Sequence, residues 1–156
     1  MPEVTLGPGQ YYLIREAGGT NGPPLPTPDF IDTTPIDLSK TDGKIALVTG
    51  TVTLGCNGGS TPCGPDQLAR IVDLVGFGNA NFYEGGAAAP TLSNTTAAIR
   101  KEGGCADTDD NGADFEAIFP TPRNTASPTH SCGPVGPISP VINEFSASTT
   151  GDDVEY

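Results

Sequence analysis

One acidic stretch, residues 107–114, has the composition of a calcium-binding loop. Hard cations are held by carboxylate and amide oxygens that alternate along a loop and are followed by a glycine turn. The candidate ligands are Asp107, Asp109, Asn111 and Asp114. A helix-loop-helix site carries a bidentate Glu at its twelfth position, where this sequence has Ile118, and no flanking helix is predicted. The sequence therefore leaves two interpretations open, a calcium site or a solvated acidic turn.

The four cysteines favour disulfides over a metal site. Structural zinc sites use closely spaced pairs of cysteines, and this sequence contains no such pair. Three pairings are possible. We expect Cys56 to pair with Cys63 and Cys105 with Cys132, because each bridge then closes a local loop that lacks core-forming residues. Disulfides in a small acidic chain rich in Thr, Gly and Pro are typical of a secreted or cell-surface protein.

Groups suited to catalysis are sparse in this sequence. The single histidine, His130, lies between prolines, and a solvated position is expected for it. Asp73 and Glu84 are a conceivable acid/base pair, but Asp73 interrupts an apolar strand. A buried carboxylate is better explained as the partner of Arg70, Arg100 or a backbone amide. Glycine-rich phosphate loops are also missing from the sequence. We therefore predict a protein that is not an enzyme.

Composition and charge restrict the fold and the partners. The chain has 156 residues and a formal net charge of −12 at pH 7, so contact with a nucleic-acid backbone would be repulsive over most of the surface. No stretch approaches the roughly 20 apolar residues that span a bilayer, and no membrane insertion is expected. The 21 glycines and 16 prolines disfavour helices. These features predict an all-β fold with many turns.

Short extended segments must then position the acidic loop and the cysteines. Residues 44–50, which follow a tight-turn signal, are expected to form a central strand. Residues 65–70 are expected to form one helical turn. Further strands are predicted at residues 10–15, within 29–38, at 71–76, 95–100, 115–119 and 141–145, with the start of another at 154–156.

Several ordered pieces of the sequence, including Gly7-Pro-Gly-Gln-Tyr-Tyr-Leu13, Ile71-Val-Asp-Leu-Val-Gly-Phe-Gly78 and Pro120-Thr-Pro-Arg-Asn124, resemble the later part of the lamin tail domain in its secreted bacterial form. The match extends to about residue 127. The resemblance implies an immunoglobulin-like β-sandwich and a non-catalytic module. Such modules are repeated in surface proteins or joined to secreted nucleases and phosphatases, and the resemblance carries over no catalytic residue.

The order of the first strands departs from that family. Val141-Ile-Asn-Glu-Phe145 resembles the family's opening strand and Val154-Glu-Tyr156 the start of its second, yet both stand at the C-terminal end. We therefore expect a sandwich in residues 1–127 that is incomplete or rotated at its first strands. A Pro-rich linker is expected at 128–140 and a tail strand at 141–156.

Three arrangements of this tail remain open. The chain is a piece of a tandem array that ends inside the next repeat, or the tail folds back into its own domain. In the third arrangement the tail inserts into the next subunit by strand addition, which produces a head-to-tail polymer. The residues expected to exchange are Val141, Ile142, Asn143, Glu144 and Phe145.

The expected function is a non-catalytic structural or interaction module of a secreted or cell-surface protein. Self-assembly into a fibre by C-terminal strand exchange is one mode of action. An accessory domain of a secreted nuclease or phosphatase is the alternative. The expected partners are copies of the same chain or neighbouring domains of the same protein, and calcium is the one cofactor under consideration.

Overall fold

A computed structural model of the chain describes residues 3–17, 26–133 and 139–146. The strand predicted at residues 154–156 lies outside this part. The regular secondary structure of the described residues is mainly strand, with three helical segments of four residues each, in agreement with an all-β class.

The elements follow one another in short segments separated by turns. The strands are β1 (Ile14–Arg15), β2 (Phe30–Ile31), β3 (Asp42–Val48), β4 (Ile71–Gly78), β5 (Ala97–Arg100), β6 (Phe115–Ile118) and β7 (Glu144–Ser146). The helical segments are α1 (Pro65–Leu68), α2 (Lys101–Gly104) and α3 (Asn111–Asp114). The predicted helical turn coincides with α1, whose proline occupies the first helical position, where no N–H is needed.

The described strands pair into three small sheets. Strands β3 and β4 form an antiparallel pair in which Ile45 lies opposite Val75. Strand β5 lies between β6 and β7 and is antiparallel to both. Strands β1 and β2 form a two-residue parallel pair. The tail strand predicted from the sequence is therefore present as β7, paired with β5 of the same chain.

Two strand predictions differ from the structure. Among the described residues β3 pairs with β4 alone and has no fully buried residue, so it is an edge strand and not a central one. The strand predicted at residues 10–15 is reduced to β1. Leu13, the residue before β1, donates its N–H to the Asp29 carboxylate at 2.8 Å. Its carbonyl oxygen accepts from the backbone N–H groups of Asp29 and Phe30. The Asp29 carboxylate thus takes the place of a strand partner for the Leu13 N–H, while the Leu13 carbonyl oxygen keeps backbone partners.

The core is built from both of the larger antiparallel sheets. Val75 and Phe77 of β4 pack with Phe115 of β6 and Phe145 of β7 in one buried cluster. The Phe145 ring centroid lies 5.0 Å from that of Phe77 and 6.1 Å from that of Phe115, in tilted arrangements favoured by aromatic pairs. The tail strand therefore supplies a central side chain of the core as well as a strand of the sheet.

Candidate functional site

Residues 141–146 lie against a surface formed by several other segments of the same chain, and we take this surface as the candidate site. We call these residues the tail segment and the surface the tail groove. Its edge is β5, where Ala97, Ala98 and Ile99 lie opposite Ser146, Phe145 and Glu144, respectively. Beyond the edge of β5, the tail groove is formed by Asp73, Phe77, Arg100, Gly104, Phe115 and Thr121.

A buried ion pair forms one end of the tail groove. The Arg100 side chain is fully buried, and its Nη2 atom donates to both Asp73 oxygens, at 3.0 and 2.8 Å. Arg100 Nε donates to the Ile142 carbonyl oxygen at 3.0 Å, and Asp73 Oδ2 accepts from the Ile142 N–H at 2.5 Å. Both backbone groups of Ile142 are therefore bound by the Asp73–Arg100 pair.

The surroundings of Arg100 explain why a charge is stable at this depth. Its Nη1 atom donates to Asp107 Oδ1 at 2.8 Å and to the Ala106 carbonyl oxygen at 3.0 Å, and the guanidinium carbon lies 4.6 Å from the centroid of the Phe115 ring. Buried charges require such pairing and hydrogen bonding. Burial raises the pKa of Asp73, while the Ile142 amide and the Arg100 guanidinium counteract that rise.

The other end of the tail groove binds a carboxylate. The Oε1 atom of Glu144 accepts from the Thr121 backbone N–H at 2.7 Å, and Oε2 accepts from the Thr121 hydroxyl at 3.4 Å. Burial raises the pKa of Glu144, although Thr121 and the positive charge of Arg123 favour the ionised form. The next residue, Phe145, is only 3% exposed. Two adjacent tail residues are therefore held by different surfaces of the groove.

The middle of the tail groove has little spare room. Gly104 has a φ of +101°, and a Cβ atom there would lie 2.4 Å from Asn143 Oδ1. That oxygen is buried and has no hydrogen-bond partner among the described residues. The backbone of Asn143 is bound, since its carbonyl oxygen accepts from Arg100 N at 2.7 Å. Any other residue at position 104 would therefore be strained by this φ, and the Asn143 side chain would have to move.

Three of the predicted calcium ligands lie where the acidic loop meets protein donors or solvent. Asp107 pairs with Arg100. Asp114 is buried and accepts from the backbone N–H and hydroxyl of Thr108, at 2.8 and 2.7 Å. Asp109 is exposed and adopts a positive φ of 55°. The carboxylates of Asp107 and Asp114 thus serve structural partners, and Asp109 faces solvent.

The fourth predicted ligand, Asn111, is fully buried and joins the loop to β4. Its Oδ1 atom accepts from the backbone N–H groups of Gly76 and Glu84, at 2.8 and 3.2 Å. Its Nδ2 atom donates to the Leu74 carbonyl oxygen at 3.0 Å and to Glu84 Oε2 at 3.2 Å. Within the described ranges no cluster of three or more His, Cys, Asp or Glu side chains is arranged to hold a metal ion.

Both expected disulfides are present in the structure. Cys56 is joined to Cys63 and Cys105 to Cys132, with Cα–Cα distances of 4.9 and 5.3 Å. Cys105 precedes Ala106, whose carbonyl oxygen binds Arg100, so the second bridge supports the polar end of the tail groove. His130 is exposed, and its backbone N–H donates to the Gly9 carbonyl oxygen at 2.9 Å.

A shallow cavity of about 390 Å³ lies on another part of the surface, beside the first disulfide. Its lining residues are Asn57, Pro62, Cys63, Leu68, Leu74, Asn81, Phe82 and Tyr83. Apart from the amides of the two asparagines and the Tyr83 hydroxyl, their side chains are apolar. None of them carries a charge at neutral pH.

Part of the tail groove is predictable from the sequence. The tail residues resemble an opening strand, and Arg100 is among the candidate partners of Asp73. Thr121 was missed, because a threonine in a Pro-rich stretch carries no signal for binding a carboxylate. The role of Asn111 was also missed, since the spacing of oxygen-bearing residues does not show which of them point inward.

The described residues contain no helix long and apolar enough to cross a membrane. No protein-family model matches the sequence, and comparisons with curated proteins and with solved structures found no similar protein.

Proposed function

We propose that this chain is a non-catalytic structural and interaction module of a secreted or cell-surface protein. Its fold is an immunoglobulin-like β-sandwich of the lamin tail type, completed by the tail segment as its last strand. The observation that carries this proposal is the use of the buried Asp73–Arg100 pair to bind both backbone groups of Ile142. The two disulfides support an oxidising location outside the cytosol.

The buried polar residues support a structural role. Asp73 and Arg100 bind each other and the tail segment, while Asn111 and Asp114 tie the acidic loop to β4 and to Thr108. Groups that perform acid/base chemistry need access to a substrate and to a proton. These side chains are instead buried and hydrogen-bonded to other segments of the chain, which they hold together.

Exchange of the tail segment between copies is the mode of assembly that we propose. The segment contributes an edge strand and a core side chain, so a second copy can supply the same contacts in trans. Donor and acceptor surfaces are different parts of the chain. Reciprocal exchange between two chains would close a two-fold dimer, whereas exchange that passes from each chain to the next gives the head-to-tail, open assembly that we propose.

The mass and shape of the assembled protein test this proposal. The chain is unfolded and refolded at increasing concentration, then examined by size-exclusion chromatography with light scattering and by negative-stain microscopy. We expect a series of multiples of 15.9 kDa that lengthens with concentration. Phe145→Ala should shift the series to monomer, whereas Phe119→Ala, at a ring that is 64% exposed, should leave it unchanged. A single 15.9 kDa species at every concentration would overturn the exchange.

A further inference from the structure

We propose that the tail groove selects its ligand by a two-residue signal, a carboxylate side chain followed directly by an aromatic ring, in an extended segment from a second copy of this chain. The inference rests on the proposed function, because it names the feature of the bound segment that the same groove recognises. In this sequence the signal is Glu144 followed by Phe145. One contact fixes the register of the bound segment, and two further contacts select its side chains.

The Asp73–Arg100 pair sets the register of the bound segment. It binds the backbone N–H and C=O of Ile142, so this contact does not depend on the side chain at that position. In an extended strand the N–H and C=O of one residue point to the same side, and those of the next residue point to the other. A slip by one residue would therefore turn both groups away from the pair and move the aromatic ring to the wrong face.

The carboxylate is the first selective feature. The two oxygens of the Glu144 carboxyl group accept hydrogen bonds from the backbone N–H and the hydroxyl of Thr121. An apolar residue at position 144 would leave the Thr121 backbone N–H without this acceptor. Arg123 adds a favourable positive charge near Glu144. The groove therefore discriminates in favour of an acidic residue at this point.

The aromatic ring is the second selective feature. Phe145 points to the opposite face of the strand from Glu144, as successive strand residues do, and enters the space between Phe77 and Phe115. This space lies in the buried core, and Val75 and Ala98 belong to the same cluster. A smaller side chain would leave a cavity there. Because the two features lie on neighbouring residues, a segment must carry both in this order.

Peptide binding in trans tests the signal with the full-length chain. The receptor is the Phe145→Ala chain, whose own segment no longer supplies the ring. The probe is a fluorescent peptide with the sequence of residues 139–146, and the measurement is fluorescence anisotropy. We expect the F145A peptide to bind more than about a hundredfold more weakly than the native peptide. The E144A peptide should bind roughly tenfold more weakly.

A peptide with Ser139→Ala is the matched control, since Ser139 is exposed and precedes the paired residues. It should bind within about twofold of the native peptide. If the Phe145→Ala chain does not fold by itself, thermal melting with each peptide replaces anisotropy. The native peptide should then restore a cooperative transition, and the F145A peptide should not.

The outcomes separate this inference from the proposed function. Equal binding of all peptides would overturn the two-residue signal while the exchange of strands stands. No binding of the native peptide, combined with polymers of the native chain, would also overturn the signal, because the short segment would be insufficient. No binding of any peptide, combined with a strictly monomeric native chain, would overturn both.

Discussion

Arg100 holds Asp73 through a two-point contact in the interior, with Nη2 at 3.0 Å from Oδ1 and 2.8 Å from Oδ2. Asp73 belongs to β4 and Arg100 to β5, so the pair joins two strands of different sheets. Ile142 bonds to both partners. One ion pair therefore links the two sheets and the tail segment.

Asp73→Asn should lower the free energy of unfolding by about 3 kcal/mol, because it removes the buried carboxylate that receives two hydrogen bonds from Arg100. The Arg100 charge then keeps only the partly exposed Asp107, at 2.8 Å, and Asp114, at 3.7 Å. Urea unfolding followed by circular dichroism measures the change. Asp42→Asn is the matched control, since Asp42 is exposed at the start of β3, and a change within about 0.5 kcal/mol is expected there. Similar losses in the two variants would contradict the role given to the pair.

Asn111→Asp should lower the free energy of unfolding by about 3 kcal/mol, because the new carboxylate cannot donate to the Leu74 carbonyl oxygen and places a second negative charge beside Glu84. Asp109→Asn, in the exposed part of the same loop, should have little effect.

Thermal melting in chelator and in millimolar calcium tests the calcium interpretation of the acidic loop. We expect equal midpoints for the native chain in the two solutions, and a rise in calcium would support the calcium interpretation of this loop.

Removing the Cys105–Cys132 bridge should destabilise the chain more than removing the Cys56–Cys63 bridge. The Cys105–Cys132 bridge joins residues 27 positions apart, and the Cys56–Cys63 bridge joins residues 7 positions apart. Because each bridge lowers the entropy of the unfolded chain, they stabilise the folded state by about 3.5 and 2.4 kcal/mol, respectively. Paired Cys→Ser variants compared in urea measure the difference. The reverse order of stability would show that the smaller loop supports the fold in a way that its length does not explain.

The free energy of unfolding should depend on the ionisation of Glu144. Burial raises the pKa of this carboxyl group above its usual 4.5, so the folded state favours the protonated form. Its contribution is complete below pH 4.5 and is lost as the pH rises through the raised value. Urea titrations from pH 4.5 to 7 should show a smaller decline for Glu144→Gln than for the native chain. Glu116→Gln, at an exposed position in β6, should decline as the native chain does.

Gly104→Ala should displace the tail segment. The substitution combines a backbone φ of +101° with a Cβ atom 2.4 Å from Asn143 Oδ1, so strain and overlap act together. We expect a loss of about 1 to 3 kcal/mol and faster hydrogen exchange at the amides of β7. Gly58→Ala is the control, because nothing lies within 4 Å of a Cβ there. Unchanged exchange at β7 in Gly104→Ala would contradict the close contact.

The sequence alone was sufficient to predict the all-β class, the two disulfides and the approximate positions of β4 to β7. These features depend on local composition, on apolar runs between turn residues and on the loops that cysteines close. The sequence also predicts a partner for Asp73, because a carboxylate buried in an apolar strand is stable only when it is paired. The sequence does not show whether β3 is an edge or a central strand of its sheet, because the strands that pair with it lie far away in the chain.

Only the tertiary structure decided how the polar residues are used. Along the chain Asp107, Asn111 and Asp114 look equivalent, yet the fold directs them to Arg100, to the backbone of β4 and to Thr108. It also brings Thr121 to Glu144 across 23 positions of sequence. The physical reason is that a hydrogen bond depends on distance and direction in space, whereas composition and spacing report only neighbours along the chain.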